Sequence, residues 1–86
     1  MKKIYLLLGS NLGDSVKQLN TAKKDIQKQI GNIIRESSFY STAPWGNSKQ
    51  PDFINQIIII ESTLTPEKTM DKILSIEKDM GRIRTK

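Results

Sequence analysis

Four consecutive isoleucines, Ile57 to Ile60, stand at the heart of a stretch from Phe53 to Leu64 that reads as one long strand, and they limit the fold more than any other feature. β-Branched side chains are stiff about χ1 and favour strands, and a run without polar interruption is the pattern of a strand buried on both faces. Ile4 to Leu8, within a strand over residues 3–8, is a second such run. That first strand is expected to be central in its sheet.

The rest of the chain supplies helices and breaks. From Asp14 the spacing turns helical, with Val16, Leu19, Ala22, Ile26 and Ile30 at steps of three and four, Asp14 as a natural N-cap and Gly31 as a stop. A second helix opens on Thr65 as N-cap, Pro66 at the first helical position and Glu67 near the positive end of the dipole, and runs to about Met80 before Gly81. Ile33 to Ser41 reads as a strand of mixed polarity. Thr42 to Asp52 reads as a loop rich in breakers, among them Pro44, Gly46 and Pro51, which carries the only tryptophan, Trp45. A connection that long in a small domain commonly has a function. The glycines of Gly9-Ser10-Asn11-Leu12-Gly13-Asp14 are read as turning the first strand into the first helix. The stretch lacks the lysine of a P-loop and the third glycine of a dinucleotide fingerprint, so it is no phosphate cradle.

The order is therefore βαββα in a single domain over residues 1–86: an α+β, ferredoxin-like sandwich without its last strand. In such a fold the fourth strand pairs beside the first. The first strand is accordingly expected to present an unpaired apolar edge, and self-association through that edge follows.

Composition narrows the chemistry. Without cysteine or histidine there are no disulfides, no imidazole bases and no usual zinc ligands, so any metal must be held by oxygen. The apolar run at the N-terminus is too short for a signal peptide or a membrane span, and a cytoplasmic protein with no membrane partner is the expectation. A formal net charge of +5 suits an anionic partner, nucleotide or nucleic acid, although Lys17, Lys23, Lys24 and Lys28 fall on one helix and read as a solvated face.

Three sets of residues look chemical. Phe53 and Asn55 are two apart on a strand and project from one face, a ring beside an amide, which suits a flat heterocycle. The alternative is that Phe53 is core and Asn55 bonds backbone. Glu77 falls on the apolar stripe of the second helix, counting from Met70, Ile73 and Leu74, where a carboxylate must reach the margin, pair with an arginine or serve a ligand. Arg82 and Arg84 flank Ile83 just after Gly81. In an extended segment both guanidinium groups face one way, fit to bind a polyphosphate or to soothe the helix C-terminus.

Taken in order, these pieces resemble the 6-hydroxymethyl-7,8-dihydropterin pyrophosphokinase family, whose members move a diphosphate from ATP to a pterin alcohol in folate biosynthesis and leave AMP. The resemblance rests on Gly9 to Asp14 after the first strand, on Ser38-Phe39-Tyr40-Ser41-Thr42-Ala43-Pro44-Trp45-Gly46, on Pro51-Asp52-Phe53-Ile54-Asn55, and on Glu77 through Gly81-Arg82-Ile83-Arg84. It implies that Thr42, Pro44 and Trp45 line a pterin pocket, that Phe53 stacks on the ring where many members have tyrosine, and that Asn55 reads the ring's polar edge. It further implies that Glu77, Arg82 and Arg84 bind ATP, the two arginines serving as catalytic groups. The family's Trp-Gly-Pro-Arg stretch and its Asp-Leu-Asp pair, to which the resemblance assigns two magnesium ions, do not occur in these residues. No metal ligand is therefore expected here, and the chain is expected to be an N-terminal part that is inactive alone.

A rival from another class is a basic, non-catalytic ferredoxin-like module for RNA or a small regulatory ligand. Against RNA stands the isoleucine run, where a recognition sheet exposes aromatics, and nucleic acid is not an expected partner.

Overall fold

The even-numbered positions of two antiparallel strands build the core: Leu6 and Leu8 from one, Ile58 and Ile60 from the other, all inaccessible to solvent. The structure is a computed structural model that describes residues 1–11, 13–44, 50–80 and 82–85, of which 79–80 and 82–85 are described by their backbone. Its elements are β1 (Lys2–Ser10), α1 (Ser15–Gln29), β2 (Asn32–Glu36), β3 (Tyr40–Thr42), β4 (Phe53–Ser62), α2 (Pro66–Met80) and β5 (Arg82–Thr85). The strands form one sheet in the order β2-β4-β1-β5, with β3 also paired to β4, and every pairing is antiparallel. This is the expected α+β, ferredoxin-like arrangement, with β1 inside the sheet. No described helix is long and apolar enough to cross a membrane.

Both helices lie on one face of the sheet. Leu19, Ala22 and Ile26 of α1, with Ile30 just beyond it, and Ile73 and Ile76 of α2 close over the strand residues in a single cluster. Burying such aliphatic side chains contributes about 1.5–3 kcal/mol each, the main driving force available to a chain of this size. The capping reading holds. Asp14 accepts from the Lys17 amide at 3.1 Å and Thr65 Oγ1 from the Lys68 amide at 3.2 Å, each satisfying a helical N–H that has no partner within its own helix.

Several expectations are corrected. The two apolar runs are not buried on both faces: Leu6 and Leu8 are buried, Leu7 is half-buried and Tyr5 is 47% exposed, and Ile57 and Ile59 are likewise only half-buried. The helices cover one face and leave the other open, so an apolar run in this sheet marks an interior strand rather than a doubly covered one. The strand read over Ile33 to Ser41 is two strands, separated by Ser37 to Phe39. The first strand's edge is not bare throughout, because β5 pairs with it from Leu6↔Thr85 to Gly9↔Arg82. That covers much of the edge on which self-association was expected to depend. Val16 is 41% exposed and drops out of the apolar stripe of α1.

α1 does end just before Gly31, as the stop reading has it, but two glycines also serve a close approach that the reading as turn and stop did not include. Gly13, at φ 56°, makes the turn into α1. Gly9 instead lies within β1, and Gly31 has no left-handed conformation; a Cβ on Gly31 would stand 2.0 Å from the Glu61 carbonyl oxygen, so that site requires glycine for close approach of two backbones.

Candidate functional site

Strand register brings Thr42, Phe53 and Asn55 to the open face of the sheet and aligns the Arg82 and Arg84 positions of β5 with the same rows. Residues directly opposite in an antiparallel pair share a face, and Asn55 is opposite both Gly9 on β1 and Tyr40 on β3, while Gly9 is opposite Arg82 on β5. Arg82, Gly9, Asn55 and Tyr40 thus form one row across four strands. Arg84, Leu7 and Ile57 form the next row toward one end of the sheet, and Thr42 and Phe53 pair toward the other. Two interstrand spacings put the Asn55 and Arg82 backbones roughly 10 Å apart.

Asn55 is the pivot of this surface. Only 9% exposed, it spends its amide nitrogen inside the protein, donating to Thr42 Oγ1 at 2.9 Å and to the Tyr40 carbonyl at 3.2 Å, with the Phe53 carbonyl at 3.5 Å. The alternative reading of Asn55 holds in that its amide does bond backbone, and the same bonds fix the direction of the rest of the group. An amide whose two hydrogens are used has only its oxygen left to offer, as an acceptor for a ligand N–H. The Thr42 hydroxyl, accepting from Asn55, keeps its own hydrogen for a second partner.

Gly9 makes the arrangement fit. A Cβ there would lie 2.9 Å from Asn55 Oδ1, closer than real Cβ atoms approach anything, so the amide oxygen occupies the space a side chain on β1 would fill. Sequence reading missed this residue by assigning it to the turn. The available signal was a glycine adjoining an apolar strand, which marks close approach of another group. At the same end of the sheet, Asn11 Nδ2 donates to the Pro51 carbonyl at 3.3 Å, tying the β1–α1 connection to the segment that enters β4.

The remaining candidates fall as follows. Phe53 is half-buried and shares the face of Asn55; Thr42 is exposed; Pro44, just beyond β3, is half-buried. Trp45 lies outside the described residues. Glu77 is half-buried rather than inside the buried stripe of α2: that stripe runs through Thr69, Ile73 and Ile76, and of the three residues from which Glu77 was counted only Ile73 lies on it, Met70 and Leu74 being 46% and 54% exposed. Arg82 and Arg84 occupy alternate positions of one strand, so the extended segment that a shared direction requires does form. Among the described residues no three of Asp, Glu, His or Cys gather closely enough to hold a metal ion, so the donor set present does not fit the magnesium implied by resemblance.

The family model described as 7,8-dihydro-6-hydroxymethylpterin-pyrophosphokinase (HPPK) matches residues 5–86. A 2-amino-4-hydroxy-6-hydroxymethyldihydropteridine pyrophosphokinase of Haemophilus influenzae is 43% identical over 82 residues, which cover 93% of this chain and 51% of that protein. A protein of the same description from Porphyromonas gingivalis is 37% identical, over 95% of this chain and 56% of its own length. The folic acid synthesis protein fol1 of Schizosaccharomyces pombe is 38% identical over 85 residues, 98% of this chain and 12% of that protein. The chain spans about half the length of the bacterial relatives it matches.

Proposed function

Because the chain belongs to the 7,8-dihydro-6-hydroxymethylpterin-pyrophosphokinase family, we propose that residues 1–86 form the pterin-binding part of an enzyme that transfers diphosphate from ATP to 6-hydroxymethyl-7,8-dihydropterin. The single observation that carries this reading is the Thr42–Asn55–Gly9 arrangement: a buried amide fixed from behind, with an acceptor left over, beside the ring of Phe53 on the same face.

The chemistry follows from those groups. Phe53 stacks on the flat bicycle, Asn55 Oδ1 accepts from a ring N–H, and the Thr42 hydroxyl donates to a neighbouring ring acceptor, so a pterin's alternating polar edge is read by one acceptor and one donor. Pro44 flanks the pocket, and the resemblance assigns Trp45, outside the described residues, to the same ligand. Arg82 and Arg84, on the same rows as Gly9 and Leu7, take the phosphates of ATP together with Glu77 at the end of α2. Guanidinium groups stay charged at any working pH and bind phosphate oxygens two at a time, which suits both positioning of ATP and stabilisation of charge on the transferring group. In the reaction the hydroxymethyl oxygen of the pterin loses its proton to solvent and bonds to the β-phosphorus while the bridge to the α-phosphate breaks and AMP leaves.

Titration calorimetry with 6-hydroxymethylpterin, alone and with α,β-methylene-ATP, tests the reading. The expected result is pterin binding that tightens when the nucleotide analogue is present and weakens in Asn55→Ala. Pterin affinity equal in wild type and Asn55→Ala refutes it.

A further inference from the structure

We propose that Ser37 and Gln56 form a clasp that sets the register of β3 and thereby selects Thr42, rather than Ser41, as the hydroxyl held against Asn55. The proposal rests on the reading of Thr42, Phe53 and Asn55 as the pterin face.

The observation is an offset in the ladder. Glu36 pairs with Ile58 and Tyr40 with Asn55, so three residues, Ser37, Ser38 and Phe39, stand against two, Gln56 and Ile57. One extra residue in a strand is a bulge, and because side chains alternate with period two, it exchanges the faces of everything that follows. Without it Phe39 would stand opposite Asn55 and Ser41 opposite Phe53, and Thr42 would turn toward the helices. With it Tyr40 and Thr42 share the open face with Asn55 and Phe53, and Phe39 lies on the other side, its ring 5.4 Å from Lys23 Nζ of α1.

Named bonds hold the bulge in place. The Ser37 amide donates to the Ile57 carbonyl at 2.8 Å, and Ser37 Oγ accepts from the Ile57 amide at 2.9 Å while donating to the Ser38 carbonyl at 2.8 Å. A side-chain oxygen thus takes the ladder bond that a backbone carbonyl would otherwise accept. From β4, Gln56 Nε2 donates to the Ser37 carbonyl at 2.8 Å and lies 3.4 Å from Glu36 Oε1, which in turn pairs with Lys23. The clasp therefore joins β4, the β2–β3 connection and α1.

The state of Gln56 argues that it is kept for its nitrogen. It is 4% exposed, on the core face opposite Leu8, and its Oε1 is buried without a hydrogen-bond partner. A buried polar atom with no partner is unfavourable, and a leucine would fill the same space without that cost. What a leucine lacks is the donor that holds the Ser37 carbonyl.

The test uses the whole chain and two variants, Gln56→Leu and Ser37→Ala, with Ser37→Thr as the conservative control that keeps the hydroxyl. Cross-strand nuclear Overhauser effects report register directly. Wild type and Ser37→Thr are expected to link Tyr40 with Asn55 and Thr42 with Phe53, whereas the two disruptive variants lose these contacts or replace them with Phe39–Asn55 and Ser41–Phe53. Pterin affinity is expected to fall by about tenfold or more in the same variants, the loss that misplacing a hydrogen-bonding partner produces, with affinity for α,β-methylene-ATP unchanged. Ser37 is only partly buried, so Ser37→Ala keeps the question answerable if Gln56→Leu fails to fold. Retention of the Thr42–Phe53 contact in Ser37→Ala, or in a folded Gln56→Leu, overturns the clasp whatever the ligand does. Register slip with undiminished pterin affinity upholds the clasp and overturns the pterin reading instead.

Discussion

Replacing Gly9 by alanine probes the reading of the candidate site at its tightest point. The new Cβ would stand 2.9 Å from Asn55 Oδ1, and relief requires a movement of about half an ångström or more to reach ordinary contact. The obstructing atom is the end of a side chain, so the fold can yield by turning the Asn55 amide. That turn strains or breaks the bonds to Thr42 Oγ1 and the Tyr40 carbonyl, each contributing about 0.5–1.5 kcal/mol. Against this, alanine is favoured over glycine in a strand interior by roughly 0.5–1 kcal/mol. The net expectation is a loss of about 0–2 kcal/mol, or a fall in Tm of up to roughly 15 °C for a domain of this size. The protein remains folded, yet the acceptor that faces the ligand is displaced, and pterin affinity is expected to fall about tenfold or more. Thermal unfolding followed by circular dichroism and calorimetric titration with 6-hydroxymethylpterin measure the two effects separately. A Gly9→Ala protein with raised Tm and wild-type pterin affinity would refute the claim that this space belongs to the Asn55 amide.

Other substitutions test the frame that carries the site. Gly31→Ala meets a backbone oxygen at 2.0 Å, which no side-chain movement relieves, and is expected to cost more than about 4 kcal/mol and leave little folded protein, read as loss of the cooperative melt. Asp14→Ala removes the acceptor of the Lys17 amide and should lower stability by about 1 kcal/mol in urea unfolding, with the denaturant slope unchanged. Thr69→Val should behave in the opposite sense: the Thr69 hydroxyl is buried without a hydrogen-bond partner, and replacing it with a methyl is expected to stabilise by up to about 1 kcal/mol, read as a raised urea midpoint. Ile58→Ala, at the centre of the core, should cost about 2–5 kcal/mol.

Local chemistry was legible in the sequence because its causes are local. Asp14 and Thr65 announce their helices through the hydroxyl or carboxylate that binds an amide three residues on, and the structure shows both bonds. Phe53 and Asn55 share a face because strand periodicity is two, whatever the strand packs against. Quantities that depend on the partner strand were not legible. The continuous isoleucine run looked buried on both sides, yet only the positions that meet Leu19, Ala22 and Ile26 are fully so, since which face is covered depends on where the helices return. Glu77 was placed by counting from Met70, Ile73 and Leu74, of which Met70 and Leu74 are exposed; the buried line of α2 starts one residue earlier, at Thr69, a polar residue that no hydropathy pattern would choose.

The least legible feature is also the one with the largest consequence for the site. Ser37-Ser38-Phe39 reads as the continuation of a strand, and nothing in its composition declares an extra residue. The bulge exists because β4 offers two residues where the opposing chain offers three, which is a property of the pair. Parity then carries the effect along the strand: a change confined to Ser37 decides whether the hydroxyl at Thr42 or the one at Ser41 meets the Asn55 amide. Residue identity at the proposed pterin face can therefore be correct in sequence while its orientation is set by residues outside that face. For this chain the identity of Thr42 and Asn55 is written in their own positions, and their meeting is written in Ser37 and Gln56.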